Sequence, residues 1–105
     1  MIALLDRAVL RGIDIAIPAG VLAQVWRADS RQHRLHLLLA DETVEAAPLD
    51  RDEALAVGGL CAQSDASDVV DASAVTCARL RQHAIVTSDP DDLRHLDSRL
   101  TLVPI

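Results

Sequence analysis

Two groups of aspartates stand at consecutive helix starts in the second half of the chain. Asp68 and Asp71 open the stretch "SDVVDASAVTCA", and Asp89, Asp91 and Asp92 lie within "AIVTSDPDDL". Carboxylates that are crowded together repel one another unless a cation lies between them, and Mg²⁺ or Mn²⁺ prefers such oxygen ligands. This pattern of residue types indicates a divalent-cation site.

Helix capping is the alternative explanation of the same residues. Asp89 is suited to cap a helix that has Pro90 as its first residue, and Asp92 is suited to reach back from the third position. Asp68 and Asp71 would complement a helix dipole. Capping explains either group taken alone. Because a cap needs one acid per helix start and both starts carry several, the combination favours a metal site, although composition alone leaves both interpretations open.

Short strands that alternate with helices are predicted to position these acids. The helices are expected at 2–11, 19–28, 30–40, 51–63, 68–81 and 89–96, and the strands at 13–17, 44–49, 84–88 and 101–105. The strands are apolar on both faces, a pattern that is typical of a parallel α/β sheet. Ligands bind beyond the carboxyl ends of such strands. Since Asp89 directly follows the strand 84–88, we expect both acid groups to face one crevice.

The composition sets limits on function and location. The chain has 105 residues, of which half are apolar, a net charge of −6 and no lysine. A broad basic face for nucleic acid is therefore not expected, although bound cations or a local arginine patch would still permit a nuclease. Cys61 and Cys77 fit buried free thiols in a reducing compartment. With neither a signal-peptide core nor a membrane-length apolar run, we expect a cytoplasmic protein that makes no membrane contact.

The segment "SDVVDASAVTCARLRQHAIVTSDPDDLRHL" resembles the carboxy-terminal half of a PIN domain, the nuclease fold of many VapBC-type toxins. The matching features are Asp71 at the head of a helix of small residues, and Thr87-Ser88-Asp89 after a strand. The upstream "IDIAIPAGVLAQVW" is similar to the family's second strand and following helix. From about Leu4 to the end, the resemblance implies a single PIN-like domain over 1–105, with a parallel sheet between helices in three layers.

The resemblance implies a metal-dependent endoribonuclease, the toxin of a toxin–antitoxin pair. Such enzymes hydrolyse RNA with water activated by Mg²⁺ or Mn²⁺, and a cognate antitoxin protein blocks the acidic cleft. By resemblance, Asp71 and Asp89 would be the catalytic residues and direct metal ligands, and Asp68 and Asp92 would hold the metal through water or support the ligands. Thr87 or Ser88 would orient a carboxylate or a water.

Two departures from the family pattern imply impaired activity. PIN domains begin with a strand that ends in an acidic metal ligand, and this chain starts after that point. The family's second acid, a glutamate, aligns with Gln24, whose neutral amide binds a cation more weakly. With at most two of the four usual acids at matching positions, weak metal binding is expected. The alternative is a catalytically inactive PIN-like module that acts through protein contacts.

The absent strand would lie between residues 13–17 and 84–88, at the middle of the family's sheet. Its loss would leave unpaired backbone groups on both neighbours. Three outcomes follow: Met1 is an internal start of a longer protein, the two flanking strands pair directly, or a second chain completes the sheet in a homo-oligomer. We favour the first as a hypothesis.

The remaining features are the arginines after the second helix, the histidines and a pair of glycines. Arg27 and Arg31 would hold an RNA backbone, and a solvated helix face balanced by Asp29 is the simpler alternative. The four histidines are scattered, with no Glu or Cys at ligand spacing, so a zinc site is not predicted. "VGGL" at 57–60 is expected to mark a helix kink or close packing.

Overall fold

The computed structural model describes residues 1–105 apart from the side chain of Arg31, so the RNA contact predicted for that side chain lies outside the described residues. The described residues contain six α-helices, a short 3-10 helix (Ser30–Gln32) and four strands. In chain order these are α1 (Ile2–Leu10), β1 (Ile15–Pro18), α2 (Ala19–Val25), α3 (His33–Ala40), β2 (Val44–Ala47), α4 (Arg51–Ser64), α5 (Val69–Arg81), β3 (Ile85–Thr87), α6 (Pro90–Leu96) and β4 (Leu102–Pro104). The mixed α/β class with short parallel strands is confirmed.

The strands form two parallel pairs, one in each of two compact units. In the amino-terminal unit, residues 1–48, Ile15 of β1 lies opposite Val44 of β2. In the carboxy-terminal unit, residues 49–105, Ile85 of β3 lies opposite Leu102 of β4. Parallel pairing requires a crossover between the strands, which α2 and α3 supply in the first unit and α6 in the second. The expectation of a single domain over 1–105 stays a prediction.

An aliphatic core holds the carboxy-terminal unit together. Pairs of residues three apart place one apolar face of each helix inwards: Val57 and Leu60 on α4, Ala72 and Val75 on α5, and Leu93 and Leu96 on α6. Burying one such side chain stabilises the fold by about 1.5–3 kcal/mol. This packing fixes the ends of α5 and α6, where the candidate acids lie.

Helix α4 begins at the predicted residue, but its two central glycines do not have the predicted effect. The carboxylate of Asp50 caps the helix by accepting a hydrogen bond of 2.9 Å from the backbone N–H of Glu53. Gly58 and Gly59 do not interrupt the helix, and a Cβ at either would meet nothing within 4 Å. The predicted kink or close packing is therefore wrong, because both glycines lie on the exposed side of a continuous helix.

In the amino-terminal unit, the buried side chains are Ile17, Leu35, Leu38 and Ala47. Helix α2 ends at Val25, three residues earlier than predicted, and Trp26 is extended. Gln32 accounts for this early end because its side chain accepts the backbone N–H of Arg27 and donates to the carbonyl of Val25. Across the described residues, no helix is long and apolar enough to cross a membrane.

Candidate functional site

Asp68 and Asp71 lie at the start of α5, where one of them is a helix cap. The backbone of Asp68 is extended, and its Oδ1 accepts a hydrogen bond of 3.0 Å from the backbone N–H of Asp71. This contact satisfies one of the N–H groups that a helix start leaves without a partner. Asp68 thus caps α5, and half-buried Asp71 lies in the first turn of the helix, where the helix-dipole interpretation placed it.

Asp89 occupies the cap position of α6 without acting as a side-chain cap. Its carboxylate makes no capping hydrogen bond, although Pro90 is the first helical residue as predicted. The backbone N–H of Asp89 donates to Oγ1 of Thr87 over 2.9 Å. Thr87 therefore positions Asp89, as a supporting residue would, and Ser88 lies exposed between them. Capping does not explain the carboxylate of Asp89.

The acids at the two helix starts interact electrostatically. Burial raises the pKa of Asp71, and the negative charges of Asp68, Asp92 and Asp89 raise it further, in that order. We call Asp68, Asp71, Asp89 and Asp92 the acidic cluster. A charge affects a neighbouring pKa in this way only at short range, so the four carboxylates share one region at the carboxyl end of β3. A cation there would relieve their repulsion.

The acidic cluster fits a hard cation in its donor type but not in its arrangement. Carboxylate oxygens are the ligands that Mg²⁺ and Mn²⁺ prefer. Within the described part of the chain, however, no group of three or more His, Cys, Asp or Glu side chains is arranged to hold a metal. One reason is visible at Asp68, whose Oδ1 is turned towards the backbone of Asp71. The predicted ligand roles of Asp68, Asp71, Asp89 and Asp92 stay predictions.

The remaining predicted residues belong to the amino-terminal unit. Gln24 is exposed on α2. The guanidinium of Arg27 donates to the carbonyls of Ala23 and Trp26 over 3.2 and 2.7 Å, so it closes the end of α2. A basic side chain commonly caps a helix carboxyl end in this way. The predicted contact of Arg27 with RNA stays a prediction.

The sequence analysis missed a second charged group, at the amino end of β3. Asp97 is buried, and its carboxylate binds Arg79 through Nε at 2.8 Å and Nη2 at 2.7 Å. It also accepts the backbone N–H of Arg99 at 2.9 Å and its Nε at 3.2 Å. The N–H of Arg99 and the guanidinium of Arg79 lower the pKa of Asp97 to about 2. The Asp97-Ser98-Arg99 turn was a local signal, whereas Arg79 gave none.

No protein-family model, curated protein or solved structure matches this chain. The resemblance to PIN domains consequently stands on the residue pattern of 67–96 and on the elements upstream, and membership of that family is a proposal.

Proposed function

We propose that this chain is a PIN-like, Mg²⁺- or Mn²⁺-dependent endoribonuclease with a weakened metal site. The observation that carries the proposal is the position of half-buried Asp71 at the start of α5, where burial and the charges of three other acids raise its pKa. Asp71 and Asp89 occupy the positions where the family pattern has metal ligands. Neither carboxylate accepts a capping hydrogen bond from its helix.

The chain's own residues would hold and orient the metal and its RNA. Asp71 and Asp89 would ligate directly, with Asp92 and Asp68 acting through water. Asp68 fixes the first turn of α5 and thereby the place of Asp71, while Thr87 fixes Asp89. When bound, Mg²⁺ or Mn²⁺ would lower the pKa of its water and stabilise the charge that develops on the scissile phosphodiester.

The substrate would be single-stranded or loop RNA in the cytoplasm, cut without a covalent protein intermediate. A cognate antitoxin would cover the acidic cluster. The chain would form a homo-oligomer, in which a second copy adds a strand to a sheet. Gln24, which stands where the family pattern has a glutamate, would weaken metal binding and turnover.

A catalytically inactive interaction module is the second candidate. It is favoured by one observation, namely that the described residues hold no group of three or more potential ligands arranged for a metal. In that case the acidic cluster would be a charged contact surface for a basic partner protein.

Metal titration distinguishes the two candidates. We expect Mn²⁺ to raise the thermal midpoint with the logarithm of its concentration above Kd, since a ligand at tenfold excess over its Kd stabilises by about 1.4 kcal/mol. Asp89→Asn should abolish this effect and the metal-dependent cleavage of single-stranded RNA. Asp91→Asn is the matched control, because Asp91 is two residues away and its side chain is 98% exposed. Equal Mn²⁺ responses in both variants, or no response in the parent chain, would support the inactive module.

A further inference from the structure

A cavity of about 440 Å³ opens at the amino end of β3, between the end of α5 and the segment before β4. Its polar lining consists of Arg79, Gln82, His83, Arg99 and Thr101. None of the described residues that line it carries a carboxylate, although the whole chain has 16 acids and a net charge of −6. We call it the basic cavity. Its size lies within the range of small-molecule sites.

Buried Asp97 holds the two arginines of the basic cavity in place. Its Oδ2 accepts from Nε and Nη2 of Arg79, and its Oδ1 accepts from Nε and the backbone N–H of Arg99. Each guanidinium carries five N–H donors in a rigid fork. Asp97 binds two of the donors of Arg79 and one side-chain donor of Arg99, so most donors of the two guanidinium groups that line the cavity are not bound to Asp97.

The charge balance of this group favours an anion. Arg79 and Arg99 carry two positive charges and Asp97 one negative charge, which leaves a net charge of +1 before His83 is counted. Asp97 itself is withdrawn from solvent, with a side-chain exposure of 6%, whereas Arg79 and Arg99 are 40% and 84% exposed. An incoming anion therefore meets the guanidinium groups rather than the carboxylate.

The carbonyl groups at the carboxyl end of α5 disfavour the binding of an anion, and a backbone hydrogen bond reduces this effect. The carboxyl end of α5 points its carbonyl groups towards this end of the unit, where they would repel negative charge. Gln82 adopts a left-handed conformation with φ of 57°, which turns the chain back on the helix. The N–H of His83 then donates to the carbonyl of Ala78 at 3.0 Å. Part of the carbonyl charge is thus already satisfied.

We propose that the basic cavity binds a phosphate-class oxyanion, either inorganic phosphate or the phosphate group of a small phosphomonoester. Arg79 and Arg99 would be the principal donors, because guanidinium forks match phosphate oxygens in pairs. Thr101 and His83 line the same space and would add hydrogen bonds. This site is separate from the acidic cluster, since the two lie at opposite ends of β3, a strand of three residues that spans about 10 Å.

Calorimetric titration of the full chain with inorganic phosphate, at constant ionic strength, tests the proposal. We expect saturable binding that Arg99→Gln weakens about tenfold. Arg99→Gln is chosen because the Arg99 side chain is 84% exposed and the backbone N–H that donates to Asp97 is kept. Arg94→Gln is the matched control, because Arg94 is an exposed arginine of the same unit that pairs with Asp91 and does not line the cavity. Asp71→Asn should bind phosphate like the parent chain.

The outcomes separate the ligand sources and the two sites. A nucleoside monophosphate that binds more tightly than phosphate, and loses affinity in Arg99→Gln, identifies a phosphomonoester site. Tighter binding of inorganic phosphate identifies the free ion. The proposal is overturned if phosphate binding is not saturable, if Arg94→Gln weakens it as much as Arg99→Gln, or if Asp71→Asn abolishes it. Loss of Mn²⁺ binding alone would overturn only the nuclease proposal.

Discussion

An aspartate lies near each end of β3 in the carboxy-terminal unit, and the pKa values of the two are shifted in opposite directions. At the amino end, Asp97 is buried, binds two arginines and has its pKa lowered to about 2. At the carboxyl end, Asp71 is half-buried among three other acids, and its pKa is raised. Burial raises the pKa of Asp71, and its acidic neighbours raise it further, whereas the hydrogen bonds from Arg99 and Arg79 outweigh the effect of burial on Asp97. The partners therefore decide the direction at Asp97 and add to the effect of burial at Asp71.

This contrast separates stabilisation from binding. A carboxylate whose neighbours donate hydrogen bonds and positive charge contributes to folding, whereas one whose neighbours are carboxylates opposes it. At the amino end the local charge is positive and suits an anion. At the carboxyl end it is negative and suits a cation. Each of the two proposals therefore follows from charge that the fold leaves incompletely balanced.

The largest expected effect is that of Asp97→Asn. An amide keeps one acceptor but loses the charge that holds Arg79 and Arg99, so we expect the free energy of unfolding to fall by about 2–3 kcal/mol. Urea unfolding of the purified chain measures this loss. Asp91→Asn is the control, since its pair with Arg94 is exposed and should be worth less than about 0.5 kcal/mol. Similar losses in both variants would remove the special role of Asp97.

Acid titration should reveal the same carboxylate. Because the folded pKa of Asp97 lies near 2, below its usual 3.8, its stabilising effect is complete above about pH 4 and is lost as the pH falls towards 2. A pKa displacement of one unit corresponds to about 1.4 kcal/mol, so roughly 2 kcal/mol is lost over this interval. Unfolding free energies of the parent chain and Asp97→Asn should converge near pH 2. Parallel curves would contradict the assignment.

The sequence predicted the secondary structure of this unit well because its signals are local. Asp50 and Asp68 each cap a helix through the N–H three residues later, and both helices were placed within one residue of their starts. α2 was predicted too long because its end depends on the side chain of Gln32, which follows seven residues after Val25. Contacts across such distances leave no periodic pattern in the sequence.

The candidate sites divide in the same way. Asp71 and Asp89 were singled out because each stands at a recognisable helix start, Asp71 after the turn between α4 and α5 and Asp89 directly after β3. The proximity of Asp92 to Asp71 followed from the expectation that neighbouring elements share one sheet edge. The group around Asp97 was missed, because Arg79 lies 18 positions away and nothing in its surroundings marks it as a partner.

A substitution away from both ends of β3 tests whether the two ends are independent of the rest of the unit. Gly58 lies on the exposed side of α4, where a methyl group meets nothing within 4 Å. Gly58→Ala should raise the free energy of unfolding by about 0.8 kcal/mol through helix propensity and reduced freedom of the unfolded chain. Chemical denaturation measures the gain. The responses to Mn²⁺ and to phosphate should be those of the parent chain, and a change in either would mean that α4 is coupled to that end.

The smallest expected effect is the most diagnostic, because its sign is opposite to that at Asp97. Asp71→Asn removes a charge that Asp68, Asp92 and Asp89 oppose, so without divalent metal we expect a gain of about 0.5 kcal/mol in the free energy of unfolding. Asp68→Asn is the matched variant, since asparagine also caps helices and only the charge is lost. With Mn²⁺ present, the order should reverse, as the parent chain gains binding energy that Asp71→Asn lacks. If Asp71→Asn destabilised the metal-free chain as Asp97→Asn does, the acids at the carboxyl end of β3 would be structural, and the contrast between the two ends would fail.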